Sequence, residues 1–223
     1  MKLFEIAPER LTTLDMKKRK WDEEMMNKVR ARQSDPEHEY IGSGSFAYVS
    51  KQTNLMDMDR IQKMSHQLDG GIVYLTRIAS SPMLQDNPVA PKILSVDNSD
   101  PKYPTFHIEP LKEFDTPKIK DNDVQLEALA KQYFTEMDPK YSKAPIHIRI
   151  LDTLRLAITR NPALIKDKRL LQLVNVIRDV KNSYAELGDF RYDIRHENVM
   201  WRLTAQGPQL VITDPIANFN IGR

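Results

Sequence analysis

Asp189-Phe-Arg-Tyr-Asp193-Ile-Arg195-His-Glu-Asn198-Val-Met200, followed sixteen residues after the asparagine by Asp214 at the end of Val211-Ile-Thr, is the stretch on which the fold turns. Val199 to Leu203 and Gln209 to Thr213 are apolar runs of strand length around Thr204-Ala-Gln-Gly-Pro208, which predicts a β-hairpin. Asp193 and Asn198 then sit on the loop entering that hairpin, and Asp214 follows its outgoing strand. Such residues suit phosphoryl transfer from a metal–nucleotide complex. One carboxylate accepts a hydroxyl proton, while an amide oxygen and a second carboxylate hold hard cations on oxygen ligands. Aspartate and asparagine are also common turn residues, so the chemistry requires a nucleotide site elsewhere in the chain.

Immediately upstream, the apolar positions Leu170, Leu173, Val174, Ile177, Val180, Tyr184 and Leu187 repeat with a 3.6-residue period, predicting a helix over 167–187 with Gly188 just past its end. Further upstream, Pro145 suits the first turn of a helix that turns Ile150, Leu151, Leu154 and Ile158 inward. Asp121-Asn122 can cap another, bearing Val124, Leu126, Leu129, Ala130, Tyr133 and Met137. Before Glu109 the character is strand-like. Short apolar stretches at 40–41, 46–49, 60–64, 93–96 and 105–108 are separated by Gly, Pro, Asn and Asp. One helix interrupts them, with Ile72, Leu75 and Ile78 on a face. The expected class is therefore α+β. Residues 1–36 form a charged helical extension, 37–108 a β-rich lobe, 109–114 a crossover, and 115–223 a helical lobe that ends in the loop and hairpin.

Composition narrows the function. With 223 residues, 40% of them hydrophobic, the chain can bury a substantial core. A net charge of +2 argues against a dedicated nucleic-acid binder. The basic run Lys17-Lys-Arg-Lys20 is answered by Asp22-Glu-Glu24, which describes a solvated helix face. The absence of cysteine excludes disulfides, thiolate metal sites and a cysteine nucleophile. No apolar run approaches membrane-spanning length and no secretory leader is evident, so a soluble protein of the cytoplasm is expected.

Two upstream elements supply the nucleotide site. Ile41-Gly42-Ser-Gly44-Ser-Phe46-Ala-Tyr-Val49 places glycines between strand-like segments, where backbone amides can approach phosphates. Phe46 would close the tip and Val49 would pack on a base. In Arg60-Ile-Gln-Lys63-Met64, Ile61 and Lys63 share one strand face, and Gln62 and Met64 the other. A lysine so placed can meet phosphate oxygens.

In this order the elements resemble the protein-kinase fold, and more closely the short early serine/threonine protein kinases of podophages. The resemblance rests on Gly42-x-Gly44-x-Phe46, Ile61-x-Lys63, Asp189-Phe-Arg-Tyr-Asp193-x₄-Asn198 and Ile212-Thr-Asp214-Pro215, and covers roughly residues 38–220. It implies a minimal bilobal kinase-like fold that uses ATP and Mg²⁺ to phosphorylate host proteins in the infected bacterial cytoplasm. Gly42 and Gly44 would cover the phosphates and Lys63 would pair with them. Glu109 to Leu111 would hydrogen-bond the adenine through the backbone. Asp193 would be the catalytic base, Arg195 would steady the γ-phosphate, and Asn198 and Asp214 would bind Mg²⁺.

The chain departs from the family pattern in ways that keep two alternatives open. The segment after Lys63 has no glutamate between Asp69 and Ser81, so the partner that orients the lysine is Asp69, a residue from elsewhere, or missing. Arg191-Tyr192 replaces the usual His-Arg, and Ala47 the third glycine. Nine residues follow Asp214, too few for an activation segment. A pseudokinase-like module that binds and inhibits a host protein is one alternative, and a small-molecule phosphotransferase is the other.

Overall fold

The computed structural model describes residues 38–43, 47–52, 60–65, 70–99, 104–114, 116–185 and 189–218, with positions 27, 30, 31 and 34. Apart from those four positions the expected charged helical extension over residues 1–36 lies outside the described residues, as do Gly44, Phe46 and Asp69.

Strands β1 (His38–Ser43), β2 (Ala47–Gln52), β3 (Arg60–Ser65), β4 (Ile93–Asp97) and β5 (Thr105–Ile108) form an antiparallel sheet in the order β1-β2-β3-β5-β4. The alternation expected along β3 is present. Val49, Lys63 and Phe106 face one another in register, as do Ile61 and Ile108 two residues along. The opposite face carries a polar row across four strands, Ser50–Gln62–His107–Ser95. Ser50 Oγ donates to Gln62 Oε1 at 3.4 Å, which leaves the amide nitrogen to reach His107 Nε2 at 3.1 Å. His107 Nδ1 then meets Ser95 Oγ at 3.0 Å, so the row is consistent with a neutral imidazole protonated on Nδ1.

Helix α1 (Gly70–Ala79) is buried on nearly every side, because it is wedged among the sheet, a long helix and a late strand. A Cβ on Gly70 would lie 2.2 Å from Ile216 Cγ2, so only glycine permits this approach. A short helix α2 (Pro82–Gln85) leads into β4.

The helical half contains α3 (Pro117–Lys120), α4 (Asp123–Tyr133), α5 (Ile146–Thr159) and α6 (Lys168–Ser183). Asn122 caps α4 by accepting from the Gln125 N–H at 3.3 Å. Pro145 directly precedes α5, and Asp167 caps α6 through the Arg169 and Leu170 N–H groups at 3.0 and 2.8 Å. Leu170, Leu173, Val174, Ile177 and Val180 are buried along α6, each contributing roughly 1.5–3 kcal/mol relative to exposure. Two expected extents are corrected. Met137 lies beyond α4 and Val124 on it is exposed, because the chain turns extended at Phe134 to bridge Ile165. Helix α6 ends at Ser183, and Tyr184 turns inward against the Phe190 ring; Leu187 and Gly188 are outside the described residues.

Two small antiparallel sheets complete the fold. β6 (Lys112–Glu113), β8 (Val199–Thr204) and β9 (Gly207–Ile212) form one, and β7 (Phe190–Tyr192) pairs with β10 (Ile216–Asn218) in the other. The predicted hairpin is present but tighter than expected. Thr204 pairs with Gly207 across Ala205-Gln206, and Gly207 takes the positive φ (113°) that closes the turn. The molecule is thus mixed α+β with antiparallel sheets. No helix among the described residues is long and apolar enough to cross a membrane.

Candidate active site

One cleft of about 270 Å³ lies where one face of the five-stranded sheet, the 109–114 segment and the β8–β9 hairpin meet. The sheet contributes Val49, Ile61, Lys63 and Ile108, the crossover Glu109, Leu111 and Glu113, and the C-terminal segment Asn198, Met200, Thr213 and Asp214. Strand register gives the cleft a direction. The Ile61/Ile108 pair borders the crossover, while Lys63 stands two residues farther along β3, roughly 6.5 Å away. The sheet wall toward the crossover is therefore aliphatic, while Lys63, Asn198 and Asp214 gather at the other end.

At that end Lys63 Nζ donates to Asp214 Oδ2 at 2.5 Å. The lysine is buried and the aspartate side chain is 31% exposed. The second oxygen, Asp214 Oδ1, is shielded from solvent and has no hydrogen-bond partner. A buried acceptor left open in this way is costly unless a ligand satisfies it. Asp214 is thus a partner of Lys63. Helix α1 carries no acidic residue at all.

The loop preceding β8 is closed by several hydrogen bonds. Both Asp193 oxygens are held by the Arg195 guanidinium, Oδ1 by Nε and Oδ2 by Nη2 at 3.0 Å. Asn198 Nδ2 donates to Asp193 Oδ2 at 2.9 Å and to its backbone carbonyl at 2.8 Å. The amide's nitrogen is thereby committed to the loop, which leaves Oδ1 as the atom Asn198 can offer a ligand. The hydrogen bond to Asp193 pushes the Arg195 guanidinium above its already high pKa; burial opposes this, and the charges of Asp193 and Glu197 reinforce it. Arg195 is a permanent cation. His196 is exposed, with Nε2 3.1 Å from Glu197 Oε1.

Backbone bonds join the loop to the strand that bears Asp214. Asp193 N–H donates to the Pro215 carbonyl at 2.8 Å, and the Thr213 N–H and Oγ1 both donate to the Asn198 carbonyl, at 2.9 and 3.1 Å. Arg155, from α5, donates through Nη2 to the Ile194 carbonyl at 2.9 Å and steadies the loop from behind.

At the crossover, Glu109 is committed to structure. Its carboxylate pairs with the Arg202 guanidinium, through Nε at 2.8 Å and through Nη2, and it accepts from the Lys92 N–H at 2.9 Å. Its N–H donates to the Lys92 carbonyl at 3.2 Å. Pro110 has no N–H, so Leu111 holds the remaining backbone donor of the 109–111 segment, while Glu109 retains its carbonyl.

The structure therefore brings together Val49, Lys63, Glu109, Leu111, Asn198 and Asp214 in one cleft, with Asp193 and Arg195 one hydrogen bond away through Asn198. Gly42 lies in β1 opposite Val49, beside an irregularity in the β1–β2 pairing. Gly44 and Phe46 are outside the described residues. Sequence reasoning missed Leu75 and Met200 as cleft walls, Glu113 and Glu197 at its edge, and the Arg202–Glu109 clamp. The Leu75 signal lay in α1's apolar stripe, but nothing local paired Glu109 with a residue 93 positions away.

Among the described residues no group of three or more His, Asp or Glu is placed to hold a metal ion alone. The donors fit a cation that arrives with phosphate. Asp214 offers an unsatisfied carboxylate oxygen and Asn198 an amide oxygen, both hard ligands, and magnesium sites take their remaining oxygens from phosphate and water. No protein-family model matches the chain, and no curated protein was found to match it.

Proposed function

We propose that the chain is an ATP- and Mg²⁺-dependent serine/threonine protein kinase with a minimal bilobal, protein-kinase-like architecture. Residues 37–108 form its β-rich lobe, 109–114 the hinge and 115–223 the helical lobe. Following the sequence resemblance, its proposed setting is podophage infection, with host bacterial proteins as substrates in the bacterial cytoplasm. The observation that carries this proposal is the convergence of Lys63, Asn198 and Asp214, up to 151 positions apart in sequence, at one end of a cleft whose sheet wall toward the crossover is aliphatic.

In this proposal the base lies between Val49, the Ile61/Ile108 pair and Met200. The Glu109 carbonyl accepts from the adenine 6-amino group, and the Leu111 N–H donates to the ring nitrogen beside it. Guanine presents the opposite order of donor and acceptor at that edge, which supports ATP over GTP. Lys63 leaves Asp214 for phosphate oxygens, and Arg195 turns to the terminal phosphate. Mg²⁺, held by Asp214 and Asn198, supplies neutralisation of phosphate charge when bound. Asp193 Oδ1 accepts from Arg195 Nε and, as a carboxylate oxygen with two lone pairs, keeps one for the substrate hydroxyl proton. As that proton moves to Asp193, the hydroxyl oxygen bonds to phosphorus and the bond to ADP breaks.

Radiolabelled ATP with Mg²⁺ and host lysate tests the proposal, beside Lys63→Ala and Asp193→Ala. Label on protein that both substitutions abolish is the expected result. Label on a small molecule alone would make the protein a phosphotransferase of another kind. A second reading, a binding module without catalysis, is favoured by one observation: α1 has no carboxylate for Lys63, which instead sits on the proposed metal ligand. Absence of transfer together with capture of a host protein would decide for it.

A further inference from the structure

Asp214, which pairs with Lys63, lies two residues past the end of β9. What fixes Asp214 is therefore as important as what holds Lys63. The Ile212 peptide, two residues before it, is restrained at both polar groups. Its N–H donates to the Val89 carbonyl at 3.0 Å, and its carbonyl accepts from Tyr74 Oη at 2.8 Å. Tyr74 comes from α1, the helix that follows Lys63's own strand, and it is fully buried. The same helix touches β10, just past Asp214, through the Gly70–Ile216 contact. Helix α1 thus grips the chain on both sides of Asp214 while offering Lys63 no carboxylate.

We propose that Tyr74 is a positioning residue: it fixes the segment that presents Asp214 to the metal. The inference rests on Asp214 being a metal ligand, as proposed above. Burial, and then the nearby Asp214 charge, push the Tyr74 hydroxyl well above its ordinary pKa, so it remains a donor throughout the working range. The hydrogen bond acts two residues before a proposed metal ligand, farther out than the directly bonded partners whose loss weakens metal affinity by about 10- to 100-fold, so the low end of that range is expected.

Tyr74→Phe removes the hydroxyl and keeps the ring. Tyr133→Phe is the matched control, because Tyr133 is also buried and hydrogen-bonds the Leu210 backbone of the same strand, two residues farther from the site. Mn²⁺ binding is titrated by electron paramagnetic resonance on the full chain saturated with a non-hydrolysable ATP analogue. Binding of the same analogue without metal is measured in parallel, in chelator. Tyr74→Phe should weaken Mn²⁺ binding by about tenfold and leave metal-free analogue binding within about twofold of wild type, while Tyr133→Phe changes neither. Unchanged Mn²⁺ affinity in Tyr74→Phe, or an equal loss in both variants, would overturn the proposal and make Tyr74 an ordinary core tyrosine. A wild-type protein that binds no Mn²⁺ with the analogue would instead remove the kinase proposal on which this one stands.

Discussion

Replacing Lys63 by methionine keeps an apolar stem of similar length in the cleft and removes the charge that sits on Asp214. The pair measures 2.5 Å between Nζ and Oδ2, with side chains 9% and 31% exposed. At an effective dielectric near 20, opposite unit charges with centres about 4 Å apart attract by roughly 4 kcal/mol. Desolvation and the exposure of Asp214 reduce this to about 2 kcal/mol net. That is the amount by which the ammonium competes with a divalent cation for the same carboxylate, and it corresponds to about 30-fold in affinity. Without nucleotide, wild-type protein should therefore bind Mn²⁺ weakly and Lys63→Met about 30-fold more tightly. With nucleotide present Lys63 gains phosphate oxygens in exchange for Asp214, so metal and nucleotide should favour each other's binding, and the substitution should remove that coupling. Titration of Mn²⁺ against each protein, with and without a non-hydrolysable ATP analogue, measures both effects. Equal Mn²⁺ affinity in the two nucleotide-free proteins would refute the idea that Lys63 guards the carboxylate.

Gly70→Ala should destabilise the protein by about 1–2 kcal/mol despite the better helix propensity of alanine, because its Cβ would fall 2.2 Å from Ile216 Cγ2. Urea unfolding measures this, and an unchanged or raised midpoint would mean that α1 and β10 are less tightly packed than described. Alkaline stability should carry the mark of Tyr133, whose hydroxyl burial pushes from 10.0 up to about 12. A raised folded-state pKa leaves stability intact below about pH 10 and removes it as pH climbs toward 12, by up to about 3 kcal/mol. Urea midpoints at pH 8 and pH 11 should therefore differ less in Tyr133→Phe than in wild type, and equal differences would contradict the assignment.

The strands and helices were legible where local pattern and burial coincide. Arg60 to Met64 announces a strand whose odd and even residues separate onto two faces, and Leu170 to Val180 announces a buried helix face. Asn122 and Asp167 were readable as starts because a cap is a local hydrogen bond. The ends of α4 and α6 were not readable. Each is set by a distant partner, the Phe134–Ile165 bridge in one case and the Tyr184–Phe190 ring contact in the other. β7 and β10 were missed for the same reason, since three-residue strands exist only by pairing with each other. Within the candidate site, residue type pointed to Lys63, Asp193, Asn198 and Asp214. The ion pair between the first and last, the Tyr74 bond and the Arg202–Glu109 clamp depend on approaches that no local pattern encodes.

The polar row on the far face of the sheet bears on the cleft it never touches. Side chains alternate along a strand, so a slip of one residue between β3 and its neighbours would turn Lys63 out of the cleft and Gln62 into it. Only the native alignment brings the Ser50 hydroxyl, the Gln62 amide, the His107 imidazole and the Ser95 hydroxyl into line, and any other leaves a buried amide without partners. The row therefore works as an alignment key for the lysine on the opposite side.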